Sequence, residues 1–121
     1  MTSRFSELCI DCRDPGGLAT FWAQVLDWRI EDDDDDDYVE LVNPEGHPPS
    51  LLFARVPEGK TVKNRLHIDV SPRDRDQDEE VERILGLGAT RTDVGQGPDV
   101  TWVVLADPEG NEFCVLRTRR P

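Results

Sequence analysis

Polar and apolar residues alternate along residues 5–12, FSELCIDC. Leu8, Ile10 and Cys12 share one parity, and Glu7, Cys9 and Asp11 the other. A period of two predicts a strand with one core face and one more polar face. RDPGG breaks it. Leu18, Phe21, Trp22, Val25 and Leu26 then recur at helical intervals, with Asp14 placed to cap the helix and Pro15 at its first position. Further strands are expected at 38–43 (YVELVN), 50–56 (SLLFARV), 65–71 (RLHIDVS), 100–106 (VTWVVLA) and 112–118 (EFCVLRT). A second helix follows 65–71, buried through Val81, Ile84 and Leu85 and stopped by Gly86 and Gly88. Residues 90–99 read as part strand and part loop.

The order of landmarks repeats. NPEG at 43–46 returns as DPEG at 107–110, 64 residues on, and QVLDW at 24–28 returns as RILGL at 83–87, 59 residues on. Glu7 precedes Asp14 by seven residues, as His67 precedes Asp74. Each half reads strand, helix and about three strands, with the last strand after a PEG turn.

Composition adds limits. A chain of 121 residues is long enough for one ordinary core. Its formal net charge of −12 discourages nucleic acid and anionic membranes as partners. No apolar run approaches a membrane span and no signal-peptide core opens the chain. Three cysteines do not suggest a disulfide framework, so a reducing cytoplasm is expected. The acidic run within EDDDDDD, Asp32–Asp37, reads as a solvated hairpin tip or loop. It lacks the glycine and closing glutamate of a calcium loop. CIDC (9–12) matches CxxC by letter only. On a strand its two thiols point to opposite faces, Cys9 with Glu7 and Cys12 under the helix.

The stretches DPGGLATFWAQVLDWRI, NRLHIDV and LADPEGNEFCVL resemble the vicinal oxygen chelate superfamily, the group of glyoxalase, the bleomycin-resistance proteins and the extradiol dioxygenases. They look most like the small glyoxalase-like domain proteins. The resemblance implies an α+β fold of two tandem βαβββ modules, about 1–57 and 64–121. Their sheets would form a curved, half-open barrel-like mixed sheet with the helices outside. It also implies a ligand site on the concave face and a homodimer.

Metal enzymes of that superfamily take ligands from the first and last strands of each module. By position, the resemblance carries those roles to Glu7, His67 and Cys114. The fourth position falls near Leu52 or Ala54, which offer no side-chain donor. Carboxylate, imidazole and thiolate are all zinc ligands, so a divalent metal (zinc, nickel, iron or manganese) has some chemical basis. A strand cysteine is more often a small hydrophobe, and no cofactor is expected.

His67 and Asp69 lie on one strand face, two residues apart. Asp69 could fix the imidazole tautomer, and the pair could act as a general base, although a structural pair is the plainer reading. His47 lies in a turn and is expected to be exposed. Phe21 and Trp22 read as core, and Trp28 as lying between core and cleft. Trp102 reads as core, with stacking against a flat ligand as its alternative role.

The favoured function is a metal-free, small-molecule-binding protein. It would hold an apolar or aromatic ligand with Glu7, Cys9, His67, Asp69, Trp102, Glu112 and Cys114. Antibiotic sequestration is one version, with a slight preference for cationic compounds. One alternative is a metal-dependent lyase, isomerase or dioxygenase in which Glu7, His67 or Glu112 moves protons. Another is a non-catalytic dimerising accessory module.

Overall fold

The computed structural model describes residues 2–31, 35–93 and 100–117. It divides into two compact units between Gly59 and Lys60. The first contains β1 (Glu7–Cys12), α1 (Pro15–Leu26), β2 (Arg29–Glu31), β3 (Tyr38–Val42) and β4 (Ser50–Arg55). The second contains β5 (Asp69–Val70), α2 (Gln77–Leu87), β6 (Thr90–Arg91), β7 (Val103–Ala106) and β8 (Glu112–Val115). The sheet orders are β1-β4-β3-β2 and β5-β8-β7-β6. In each sheet the first strand pairs parallel with the last and the other pairings are antiparallel. Each unit is therefore a βαβββ module, and the fold is α+β.

Local chemistry explains the element ends. The Asp14 side chain accepts a hydrogen bond from the Gly17 amide at 3.1 Å, with Pro15 opening α1. Asp76 and Glu79 form a reciprocal capping box at the start of α2. Gly88, at φ +125°, closes that helix. Gly86 lies inside the helix, so only one of the two glycines expected to stop it does so.

The two PEG turns are the same device. Gly46 and Gly110 adopt φ of +81° and +88°, in the left-handed region that glycine enters without strain. Asn43 Oδ1 accepts from the Glu45 amide at 3.0 Å, and Asp107 Oδ1 accepts from the Glu109 amide at 2.9 Å. Asp107 is buried and also accepts from the Asn111 amide and side chain.

Each helix covers one face of its own sheet. In module one, Leu18, Phe21, Trp22, Leu41 and Phe53 are buried, with Cys12 among them as expected. In module two the core includes Val70, Val81, Ile84, Leu105, Phe113 and Val115, whereas Leu85 is only half-buried. Burial of each large apolar side chain contributes roughly 1.5–3 kcal/mol.

Several strands are shorter than their apolar patterns predict. The strand expected at 65–71 is β5 alone. Leu66 is 80% exposed, so nothing apolar holds the preceding residues in a ladder. Among the described residues the strands expected over 100–106 and 112–118 run Val103–Ala106 and Glu112–Val115, and Thr118 lies outside those residues. Trp102 thus precedes β7 and is 40% exposed, which corrects its reading as core. The pair β2–β3 brackets the acidic run as a hairpin. Asp35–Asp37 are exposed, while Asp32–Asp34 lie outside the described residues, as do 94–99 of the stretch 90–99 expected to be part strand and part loop. Among the described residues no helix is long and apolar enough to cross a membrane.

Candidate ligand-binding site

The parallel β5–β8 register sets Asp69 beside Cys114, and the β7–β8 register sets Cys114 beside Val104. Side chains alternate along a strand, so His67, Asp69, Val104, Glu112 and Cys114 belong to the face of the module-two sheet turned away from α2. Backbone pairing continues past β5, because the Cys114 amide donates to Ile68 O at 3.0 Å. That bond ties the stretch between His67 and Asp69 to β8.

One cluster stands out on this face. Nitrogen, carboxylate and sulfur atoms of His67, Asp69 and Cys114 lie within 4.8 Å of one another. His67 Nε2 is 3.1 Å from Asp69 Oδ1, and both side chains are about half exposed. Cys114 is buried. Burial pushes its thiol up to about 11, and the charge and hydrogen bonding of Asp69 add to the effect, against a small opposing pull from Lys63. The thiol therefore keeps its proton at neutral pH.

Glu112, expected to line a ligand site, is otherwise engaged. Its carboxylate accepts from Lys60 Nζ and from the Asn64 amide, each at 3.0 Å. Burial alone would raise its pKa, but the Asn64 and Lys60 hydrogen bonds prevail and hold it below the usual carboxylate range. The residue clips the segment 60–64 to the start of β8. Lys60, Asn64 and Lys63 went unnoticed in the sequence because a polar linker carries no periodic signal.

Module one carries the matching positions without the matching chemistry. Cys9 pairs with Leu52 as Asp69 pairs with Cys114, so Leu52, rather than Ala54, is the counterpart of Cys114. Glu7 pairs with Ser50, and both Glu7 and Cys9 are exposed. Burial, followed by the charges of Asp11 and Glu7, raises the Cys9 thiol above its ordinary value. Glu40 shares this face and accepts from Ser50 Oγ at 2.8 Å. The alternation of Tyr38, Glu40 and Val42 was the signal that could have found it. CIDC is not a chelating pair, since Cys9 is exposed and Cys12 is buried, with its thiol donating to Ala54 O at 3.6 Å.

The family model of the glyoxalase-like domain matches residues 7–116. The chain belongs to the glyoxalase-like family. Solved structures share the fold of this glyoxalase-like chain. A glyoxalase/bleomycin resistance protein/dioxygenase family enzyme from Burkholderia phytofirmans PsJN is 21% identical, with a TM-score of 0.69, over 93% of this chain and 97% of its own. The fosfomycin resistance protein FosX from Listeria monocytogenes is 16% identical, with a TM-score of 0.74, over 98% of this chain and 93% of its own. A mutant of that FosX, complexed with Mn(II) and 1S,2S-dihydroxypropylphosphonic acid, is 15% identical, with a TM-score of 0.73, over 96% of this chain and 90% of its own. No curated protein matches the sequence.

The four-ligand metal set that the resemblance implies is incomplete in this glyoxalase-like chain, since Leu52, at one of the implied positions, offers no side-chain donor.

Proposed function

We propose that the protein is a metal-free, small-molecule-binding member of the glyoxalase-like family. It would hold an apolar or aromatic ligand on the open sheet faces. The observation that carries this reading is the His67–Asp69–Cys114 cluster, a compact polar group with Val104 beside it in the sheet. A few convergent polar groups among apolar neighbours is the usual make-up of a ligand site. Trp102, exposed, would add to the lining, and Glu7 and Cys9, also exposed, would offer their own binding groups on the module-one sheet. Glu112 would shape the site through its hold on segment 60–64. Three cysteines outside any disulfide suit a reducing cytoplasm, and the family resemblance supports a homodimer.

A thermal-shift screen of small ring compounds tests the reading. Binding should raise the melting temperature of the wild type, and His67→Ala should lose most of the gain while keeping its own unliganded melting temperature. An equal gain in both proteins would move the ligand away from this cluster, and no gain with any compound would count against the function.

A second reading has its own support. His67, Asp69 and Cys114 offer nitrogen, oxygen and sulfur donors close enough to share one ion. Zinc fits that donor set best, and the Mn(II) bound to the FosX mutant shows that a protein of this fold takes a divalent ion. Such an ion would supply Lewis-acid polarisation to a lyase, isomerase or dioxygenase. Binding would release the Cys114 proton, so the affinity would rise with pH.

A further inference from the structure

We propose that residues 60–66 form a strap latched across the module-two face turned away from α2 by one side chain, Glu112, and that release of this latch opens the way to the cluster at Cys114. The latch stands on geometry, whereas what it admits rests on the small-molecule reading above.

Glu112 and Cys114 are two residues apart on β8, so their side chains leave the same face of the sheet. Glu112 is held from both ends of a short loop. Lys60 Nζ and the Asn64 amide each donate to its carboxylate at 3.0 Å, and Asn64 Nδ2 donates to its backbone oxygen at 3.4 Å. The loop between these anchors is therefore drawn over that face. Its middle comes near the thiol, since the Lys63 charge acts on Cys114. Cys114 is 7% exposed, whereas the side chains of His67 and Asp69 beside it are about half exposed. The strap supplies part of the cover that this buried thiol needs in an otherwise open cluster.

The latch is the strap's main hold. Val62 and Leu66 are 76% and 80% exposed, so neither packs the strap down. Thr61, Lys63 and Arg65 are exposed as well. The next tie, from the Cys114 amide to Ile68 O, lies beyond the strap and belongs to the sheet. A segment held by one carboxylate without apolar packing opens separately from the strands beside it. The latch still keeps the strap closed most of the time, because its bonds are charge-assisted and the Lys60 and Glu112 side chains are mostly buried. A ligand at the cluster would give Val62 and Leu66 an apolar surface to close on.

The test is alkylation of Cys114 by iodoacetamide, an uncharged reagent, near pH 8 in a Cys9→Ser background, with mass mapping of the labelled thiol. Labelling through a rarely open state follows the population of that state. Loss of a charged hydrogen bond should raise that population about 10-fold. Glu112→Gln and Lys60→Met should therefore each speed labelling by about 10-fold. The two variants separate opening from electrostatics. Removing the Glu112 charge alone would lower the thiol's pKa and speed labelling, whereas removing the Lys60 charge alone would raise it and slow labelling. Only release of the strap speeds both. Hydrogen exchange is the second readout. The Asn64 amide should exchange faster in both variants, while the Cys114 amide should stay as slow as in the wild type. If either variant labels no faster than the wild type, the strap is overturned. It is also overturned if the Cys114 amide speeds up together with that of Asn64, because the sheet edge would then be opening as a whole. Neither readout uses a ligand, so the strap stands or falls separately from the small-molecule reading.

Discussion

Replacing Asp69 by Asn removes a negative charge from beside Cys114 and changes little else in size. The Cys114 thiol sits at about 11 against an ordinary 9.0, through burial first and then the charge and hydrogen bonding of Asp69. Near pH 8 the thiolate fraction is about 0.1%, and complete relief would lift it to about 9%, a gain of roughly 90-fold. Lowering a thiol's pKa also weakens its thiolate as a nucleophile, by about 8-fold across that span for attack on a disulfide. The ceiling on the rate gain is therefore about 10-fold. Burial persists in the variant, so Asp69→Asn should accelerate reaction by about 2–5-fold. The assay is the reaction of Cys114 with a chromogenic aromatic disulfide in a Cys9→Ser background, since Cys9 is exposed and would react first. Mass mapping confirms which thiol is labelled. An unchanged or slower rate, with the fold intact by circular dichroism, would refute the electrostatic account of the cluster.

Other outcomes follow from the geometry. Glu112 is held below the usual carboxylate range, so its stabilising contribution is present above that range and is lost as pH falls through its lowered folded value. Glu112→Gln should flatten the acid limb of a stability–pH curve measured by urea unfolding. An unchanged acid limb would mean that the clip to Lys60 and Asn64 contributes nothing. Asp76→Ala breaks the capping box of α2 and should cost about 1 kcal/mol by denaturant midpoint, while a substitution at exposed Glu82 should cost much less. Phe53→Ala opens a cavity at a fully buried site and should cost roughly 3–5 kcal/mol, enough to lower the melting temperature markedly.

Much of the fold was legible because its signals are local. Asp14 with Pro15 marks one helix start, and the paired NPEG and DPEG turns betray a duplication that the matching φ angles of Gly46 and Gly110 bear out. The opposite facing of Cys9 and Cys12 needed only the period of a strand. The site was less legible because its facts are non-local. Whether Leu52 or Ala54 matches Cys114 depends on a parallel register between strands about forty residues apart, which no local pattern records. Glu112 looked like a free carboxylate, yet its partners Lys60 and Asn64 sit about fifty residues earlier in an unpatterned linker. His67 read as mid-strand. In the structure it precedes β5, because the exposed Leu66 gives that edge nothing to pack against. Trp102 was placed on a strand by its neighbours' hydrophobicity, but the ladder begins one residue later.

The turn DPEGNEFCVL therefore delivers Cys114 to the middle of a polar cluster as a protonated thiol beside Asp69. Native mass spectrometry of the protein as purified, without added metal or chelator, tests the central claim most directly. The account predicts a bare mass or one carrying an organic adduct, unchanged by Cys114→Ala in metal content. A mass excess of one divalent ion per chain, lost in Cys114→Ala and in His67→Ala, would contradict it and establish the metal-dependent reading.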